Sequence, residues 1–108
     1  MSWIYLALAI LFEVAGTTNM KLSKGFTFVL PSVLIFVFYA ISFVMLTFAL
    51  REIDISIAYA IWAGVGTALI VAIGIFWFKE PATTAKIVSI FLIIAGVIAL
   101  NFSGPIDK

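Results

Sequence analysis

The chain has 108 residues, 66% of them hydrophobic and 10% charged, which is too little polar surface to keep a soluble domain dispersed. Its formal net charge of +1, from six basic and five acidic residues scattered along the sequence, forms no basic patch and excludes nucleic acid as a partner. The absence of cysteine and histidine removes disulfides, thiolate or imidazole metal sites, and Cys/His or Ser/His catalysis together, so no metal, no cofactor and no enzyme activity is expected.

A membrane span takes about 20 residues at a rise of about 1.5 Å each. Four spans with short loops, over about residues 3–21, 28–50, 57–78 and 87–102, therefore use residues 1–108 as a single transmembrane domain, all-α, multi-pass and in contact with lipid. Ala7 to Ala9 imitate a cleavage site, but the segment has no basic start and carries a glutamate, so the first span is expected to be retained.

The first span contains one carboxylate, Glu13, near its middle. An ionisable group at that depth costs about 2.5–3.5 kcal/mol and is tolerated where it faces a protein interior or a water-filled cavity. A turn of about 100° per residue places Leu6, Ala9, Ile10, Gly16, Thr17 and Met20 on its side and sends Ile4, Leu8, Leu11 and Ala15 to the other. The plainer alternative is a structural carboxyl held protonated by a neighbouring helix. Lys21, Lys24 and Gly25 mark the first loop.

In the second span Pro31 falls in the first turn, where its missing N–H does no harm, and Tyr39 falls near the centre. Tyr39 shares a side with Ser32, Ile35, Phe36, Ser42, Phe43 and Leu46. Its hydroxyl neighbours either face a site or bond a carbonyl one turn back or on a neighbouring helix. Arg51, Glu52 and Asp54 form the second loop.

The third span has two sides. Ala60, Gly64, Ala68 and Ala72 recur every four residues as a ridge that lets another helix approach, and roughly opposite lie Tyr59, Trp62, Ala63, Gly66 and Ile70, a wall suited to a cationic or planar ligand. Tyr59 and Trp62 also fit an interfacial aromatic belt, as Trp3, Tyr5 and Trp77 do. Gly64-Val65-Gly66 lacks the third glycine and the preceding strand of a dinucleotide loop; it reads as a hinge or as close packing. After Lys79, Glu80, Pro81 and Lys86, the fourth span repeats Ser89, Gly96 and Ser103 at seven-residue intervals with no charge among them, a seam for self-association.

No nucleotide motif is present, so the proton gradient is the energy source at hand. A carboxylate that holds either a proton or a cation, but not both, couples the two flows by competition. The Glu13-Val14-Ala15-Gly16-Thr17-Thr18 and Met20-Lys21 run, Gly25-Phe26-Thr27 with Pro31-Ser32, the Tyr59 to Gly66 stretch, and Ala95-Gly96-Val97 to Asn101 together resemble the small multidrug resistance family over the whole chain. The resemblance implies an antiparallel, dual-topology homodimer of four-helix subunits in the plasma membrane that exports small hydrophobic cations in exchange for protons. It further implies that Glu13 of both chains binds proton and substrate, that Tyr59 and Trp62 line the site, that Tyr39 and Ser42 support it, and that the fourth helices pair.

Within that family, Gly16 in place of tryptophan, and Asn101 in place of lysine, resemble exporters of quaternary ammonium and aromatic cations more than guanidinium exporters, with Gly16 expected to leave room for the substrate. Trp3 stands where those exporters usually have tyrosine, and Ala63 where serine is frequent. The rivals are a guanidinium/proton exporter of the same architecture and a non-transporting partner subunit of a heteromeric complex. The second has no need of intramembrane polar groups such as Glu13, Tyr39, Tyr59 and Trp62.

Overall fold

The computed structural model describes residues 1–103, and within them the chain is helical with no strand. The helices are α1 (Ser2–Leu22), α2 (Val29–Ala49), α3 (Ile55–Phe76) and α4 (Thr84–Ser103). Each is long and apolar enough to cross a membrane, about 30 Å at 1.5 Å per residue.

The helix ends follow local chemistry that a hydropathy pattern does not carry. α4 begins at Thr84, ahead of the expected residue 87, because Thr83 caps it: its Oγ1 accepts the Lys86 N–H at 3.2 Å and its carbonyl accepts the Ile87 N–H at 3.2 Å. Lys86 thus belongs to the first turn of α4 and not to the loop. α3 starts at Ile55 behind Asp54 and stops at Phe76, so Trp77 and Phe78 stand beyond its last turn with their rings stacked.

The described chain forms two compact units, Met1–Ile53 and the residues from Asp54 onward. In the first, α1 and α2 form an antiparallel hairpin. Leu6, Ala9, Ile10 and Val14 of α1 and Ile35, Ser42 and Ala49 of α2 are buried, while Ile4 and Leu11 lie exposed on the other side of α1, as the helical rotation predicts. The pair is fastened at mid-length by the fully buried Ser42, whose Oγ donates to the Ala9 carbonyl at 2.6 Å. Aromatic pairs Tyr5–Phe48 and Phe12–Phe38 flank that bond, with ring centroids 5.4 and 5.9 Å apart.

The connection between α1 and α2 passes through three successive left-handed residues, Lys24, Gly25 and Phe26. Only the glycine adopts that conformation at no steric cost. Ser23 compensates: its buried Oγ donates to the Met20 carbonyl and accepts the Phe26 N–H, while its carbonyl accepts the Thr27 and Phe28 N–H groups. At the other end of the hairpin, Ser2 Oγ donates to Glu52 Oε1 at 2.7 Å, tying the start of α1 to the turn after α2.

In the second unit α3 packs on α4 at Gly64, within its small-residue ridge. A Cβ at Gly64 would stand 2.6 Å from Val97 Cγ2 and 3.2 Å from Ile93 Cγ2, so the glycine sets how closely the two helices approach. Where the chain leaves α3, the Glu80 N–H donates to the Gly74 carbonyl at 2.9 Å and the Glu80 carboxylate lies where a Gly74 side chain would be. Lys86 Nζ faces that carboxylate at 3.9 Å.

Candidate functional site

Glu13 is half-buried, midway along α1, on the side of that helix that carries the buried Leu6, Ala9, Ile10 and Gly16. One turn later Thr17 stands over it, and its Oγ1 donates to Glu13 Oε2 at 2.8 Å. The i, i+4 spacing makes this contact a property of the helix itself. From α2, the Tyr39 hydroxyl comes within 2.6 Å of the same Thr17 oxygen and 3.7 Å of Met20 Sδ. The result is a polar chain running from the half-buried carboxylate through Thr17 and Tyr39 to the thioether of the exposed Met20.

Gly16 determines where Tyr39 sits. A Cβ at Gly16 would overlap ring atoms Cδ1 and Cε1 of Tyr39, at 2.5 and 2.6 Å, and touch Phe38 Cβ at 3.5 Å. The space expected beside Glu13 for a substrate is therefore filled in this conformation by the Tyr39 ring. The reason is packing: volume left on one helix is taken by the helix that pairs with it.

Ser42, expected to support the site, spends its proton on the Ala9 carbonyl and so acts on the helix pair that holds Glu13 and Tyr39 in register. Phe43 is 51% exposed and faces the Tyr39 ring at a centroid distance of 6.0 Å. Ser32 and Thr47 bond the carbonyls of Phe28 and Phe43 one turn back.

In the second unit, Tyr59 and Trp62 form an edge-to-face pair with centroids 5.4 Å apart, Tyr59 being 60% exposed and Trp62 half-buried. Such a pair presents one ring face and one ring edge, and the faces attract cations. α3 runs unbroken through Gly64 and Gly66, both of them buried. On α4, Ser89 and Gly96 are exposed, and a side chain at Gly96 would meet nothing within 4 Å among the described residues. The side chain of Ser103 lies outside the described residues. Among the described residues no cluster of acids offers a metal site.

Sequence reasoning placed Met20 on the Glu13 side of the first span but gave it no part in the site. Its position seven residues from Glu13, two helical turns along the same side, was the available signal. The contact of Tyr39 with Thr17 depends on the register of two helices, which no single-helix rotation supplies.

Comparison with known proteins adds the following. A family profile described as Small Multidrug Resistance protein matches residues 1–93. An uncharacterized membrane protein of Bacillus subtilis, YvaE, is 54% identical across 100% of this chain and 96% of its own length. The multidrug resistance protein EbrB of Bacillus licheniformis is 49% identical over 91% of this chain and 82% of its own, and the multidrug resistance protein mmr of Mycolicibacterium paratuberculosis is 41% identical over 96% and 98%.

Proposed function

The chain belongs to the Small Multidrug Resistance family of membrane transporters, and from that premise we propose that it exports lipophilic, aromatic or quaternary ammonium cations in exchange for protons, the two competing for Glu13. As a member of that family it is a multi-pass protein of the plasma membrane and not an enzyme.

One observation carries the proposal. The charged side chain placed midway along a membrane-crossing helix is Glu13, half-buried and hydrogen-bonded by a hydroxyl. A carboxylate in a membrane interior is costly and is retained where ions or protons are handled. Tyr59 and Trp62 serve as aromatic contacts for the cation, a kind of contact worth about 0.5–2 kcal/mol. Gly64 and Gly66 supply the bend in α3 as access changes, and two chains pair antiparallel through the Ser89, Gly96 and Ser103 seam of α4. The names of EbrB and mmr as multidrug resistance proteins support the same reading.

The test is transport by purified protein in liposomes, with guanidinium ion set against a tetraphenyl cation under an imposed proton gradient. Proton-coupled movement of the aromatic cation is expected. Good movement of guanidinium with none of any aromatic cation replaces the proposal with its rival, guanidinium export by the same architecture.

A further inference from the structure

We propose that the Thr17 hydroxyl and the Tyr39 phenol form a hydrogen-bond chain whose direction reverses with the protonation of Glu13, which makes them positioning residues for the exchange and makes Met20 Sδ the far acceptor. The proposal rests on Glu13 being the group that proton and cation share. It adds how the hairpin registers which of the two Glu13 holds.

The derivation is a count of protons. Thr17 Oγ1 lies 2.8 Å from Glu13 Oε2 and 2.6 Å from Tyr39 Oη, and Tyr39 Oη lies 3.7 Å from Met20 Sδ. Each hydroxyl has one proton to donate. When Glu13 is ionised it only accepts, so Thr17 donates to Glu13, and Tyr39 must donate to Thr17. With the proton of a neutral Glu13 on Oε2, the oxygen that Thr17 faces, Glu13 donates to Thr17, Thr17 donates to Tyr39, and the Tyr39 proton turns to Met20 Sδ. No proton leaves its oxygen; the O–H bonds rotate, and the heavy atoms keep their places.

The two directions differ in strength. The first ends on a carboxylate, and a charge-assisted hydrogen bond is about twice as strong as a neutral one. The second ends on a thioether, a weak acceptor. Thr17 therefore makes its stronger hydrogen bond when Glu13 is in the form that accepts a cation. Competing charge close by is absent on the packed helix: α2 carries no acidic or basic residue, and its titratable group is Tyr39 itself. On α1 the other titratable side chains are Tyr5 and Lys21, each eight residues from Glu13 and so beyond its neighbouring turns.

Binding of tetraphenylphosphonium to the purified protein, followed across a pH series, tests the chain. In the wild type, affinity is expected to rise with pH, and Glu13→Gln is expected to remove the dependence. Thr17→Val should move the half-maximal point upward by about one pH unit, the loss of one charge-assisted bond, with Thr17→Ser restoring it. Tyr39→Phe should move it up by less, and should do nothing further in a Thr17→Val background, because Tyr39 acts through Thr17. Met20→Leu should move it slightly down. A Glu13→Gln protein that keeps the wild-type pH dependence overturns the reading of Glu13 and the chain with it. A flat Glu13→Gln profile beside Thr17→Val and Tyr39→Phe proteins with wild-type midpoints overturns the chain alone, as does a Tyr39→Phe shift of equal size with and without Thr17.

Discussion

The missing side chain at Gly16 is occupied volume, since the Tyr39 ring packs where a Cβ would stand. Gly16→Ala should displace that ring, stretch the Thr17 to Tyr39 contact and destabilise the hairpin by about 1–3 kcal/mol, as overpacking of a close-packed site does. Thermal unfolding in detergent measures this, and a companion Tyr39→Ala exchange should recover part of the loss by vacating the space. At Glu13 the expectation concerns charge. Glu13→Gln keeps the size but cannot ionise, so it should leave the protein in the membrane while abolishing coupled export and the rise of cation affinity with pH. The sign follows from competition: raising the pH removes the proton and leaves a carboxylate for the cation. Uphill, proton-dependent export by the Gln protein would place the coupling group elsewhere. What was legible at this scale is what one helix contains. Glu13 and Thr17 meet because they are four apart, whereas Gly16 read as room for substrate because a sequence gives a residue's volume without saying which neighbour fills it.

For whole helices the hydrophobic runs were sufficient to find all four, and the chemistry of a few polar residues moved their ends. Thr83 starts α4 early by capping it, a signal present in the sequence but hidden beneath the charge of Lys86. The ridge Ala60, Gly64, Ala68 and Ala72 was legible as packing, and at Gly64 the partner is α4. Gly64→Ala should push Val97 and Ile93 away and separate α3 from α4. Unfolding in detergent should show the loss, and Val97→Ala in the same chain should restore stability by removing the methyl that collides. An unaltered Gly64→Ala protein would mean that the close approach does not hold the pair together. Ser42 was legible only as two alternatives, and the hairpin resolves them. Its bond to the Ala9 carbonyl joins α1 to α2, so Ser42→Ala should cost about 0.6–2 kcal/mol, the measured range for interhelical hydrogen bonds in membranes.

For the whole molecule the open question is what covers α4, whose residues are nearly all exposed or half-buried within the chain, among them Phe91, Leu92 and Phe102. Lipid can cover branched and aromatic side chains, but small residues in a row favour another helix. The loops add a second constraint. Four successive crossings are expected to put Lys21, Lys24, Lys79 and Lys86 toward one side of the membrane, against Arg51 and Lys108, the latter outside the described residues, on the side of the termini. A bias of four to two leans toward one orientation without enforcing it, since basic residues in short loops set which way a chain inserts. Insertion both ways followed by antiparallel pairing is the expected outcome, and the spacing of the seam makes it measurable. Ser89 and Ser103 lie seven residues either side of Gly96. In an antiparallel pair crossing at Gly96, residue 89 of one chain meets residue 103 of the other; in a parallel pair each meets its own counterpart. Because the chain has no cysteine, Ser89→Cys and Ser103→Cys proteins can be mixed and oxidised without background. Crosslinks should form in the mixture and not in either protein alone, and a C-terminal reporter should be found on both sides of the membrane. Crosslinks within each single-cysteine protein and none between them, with the reporter on one side only, would show a parallel pair and end the dual-topology proposal.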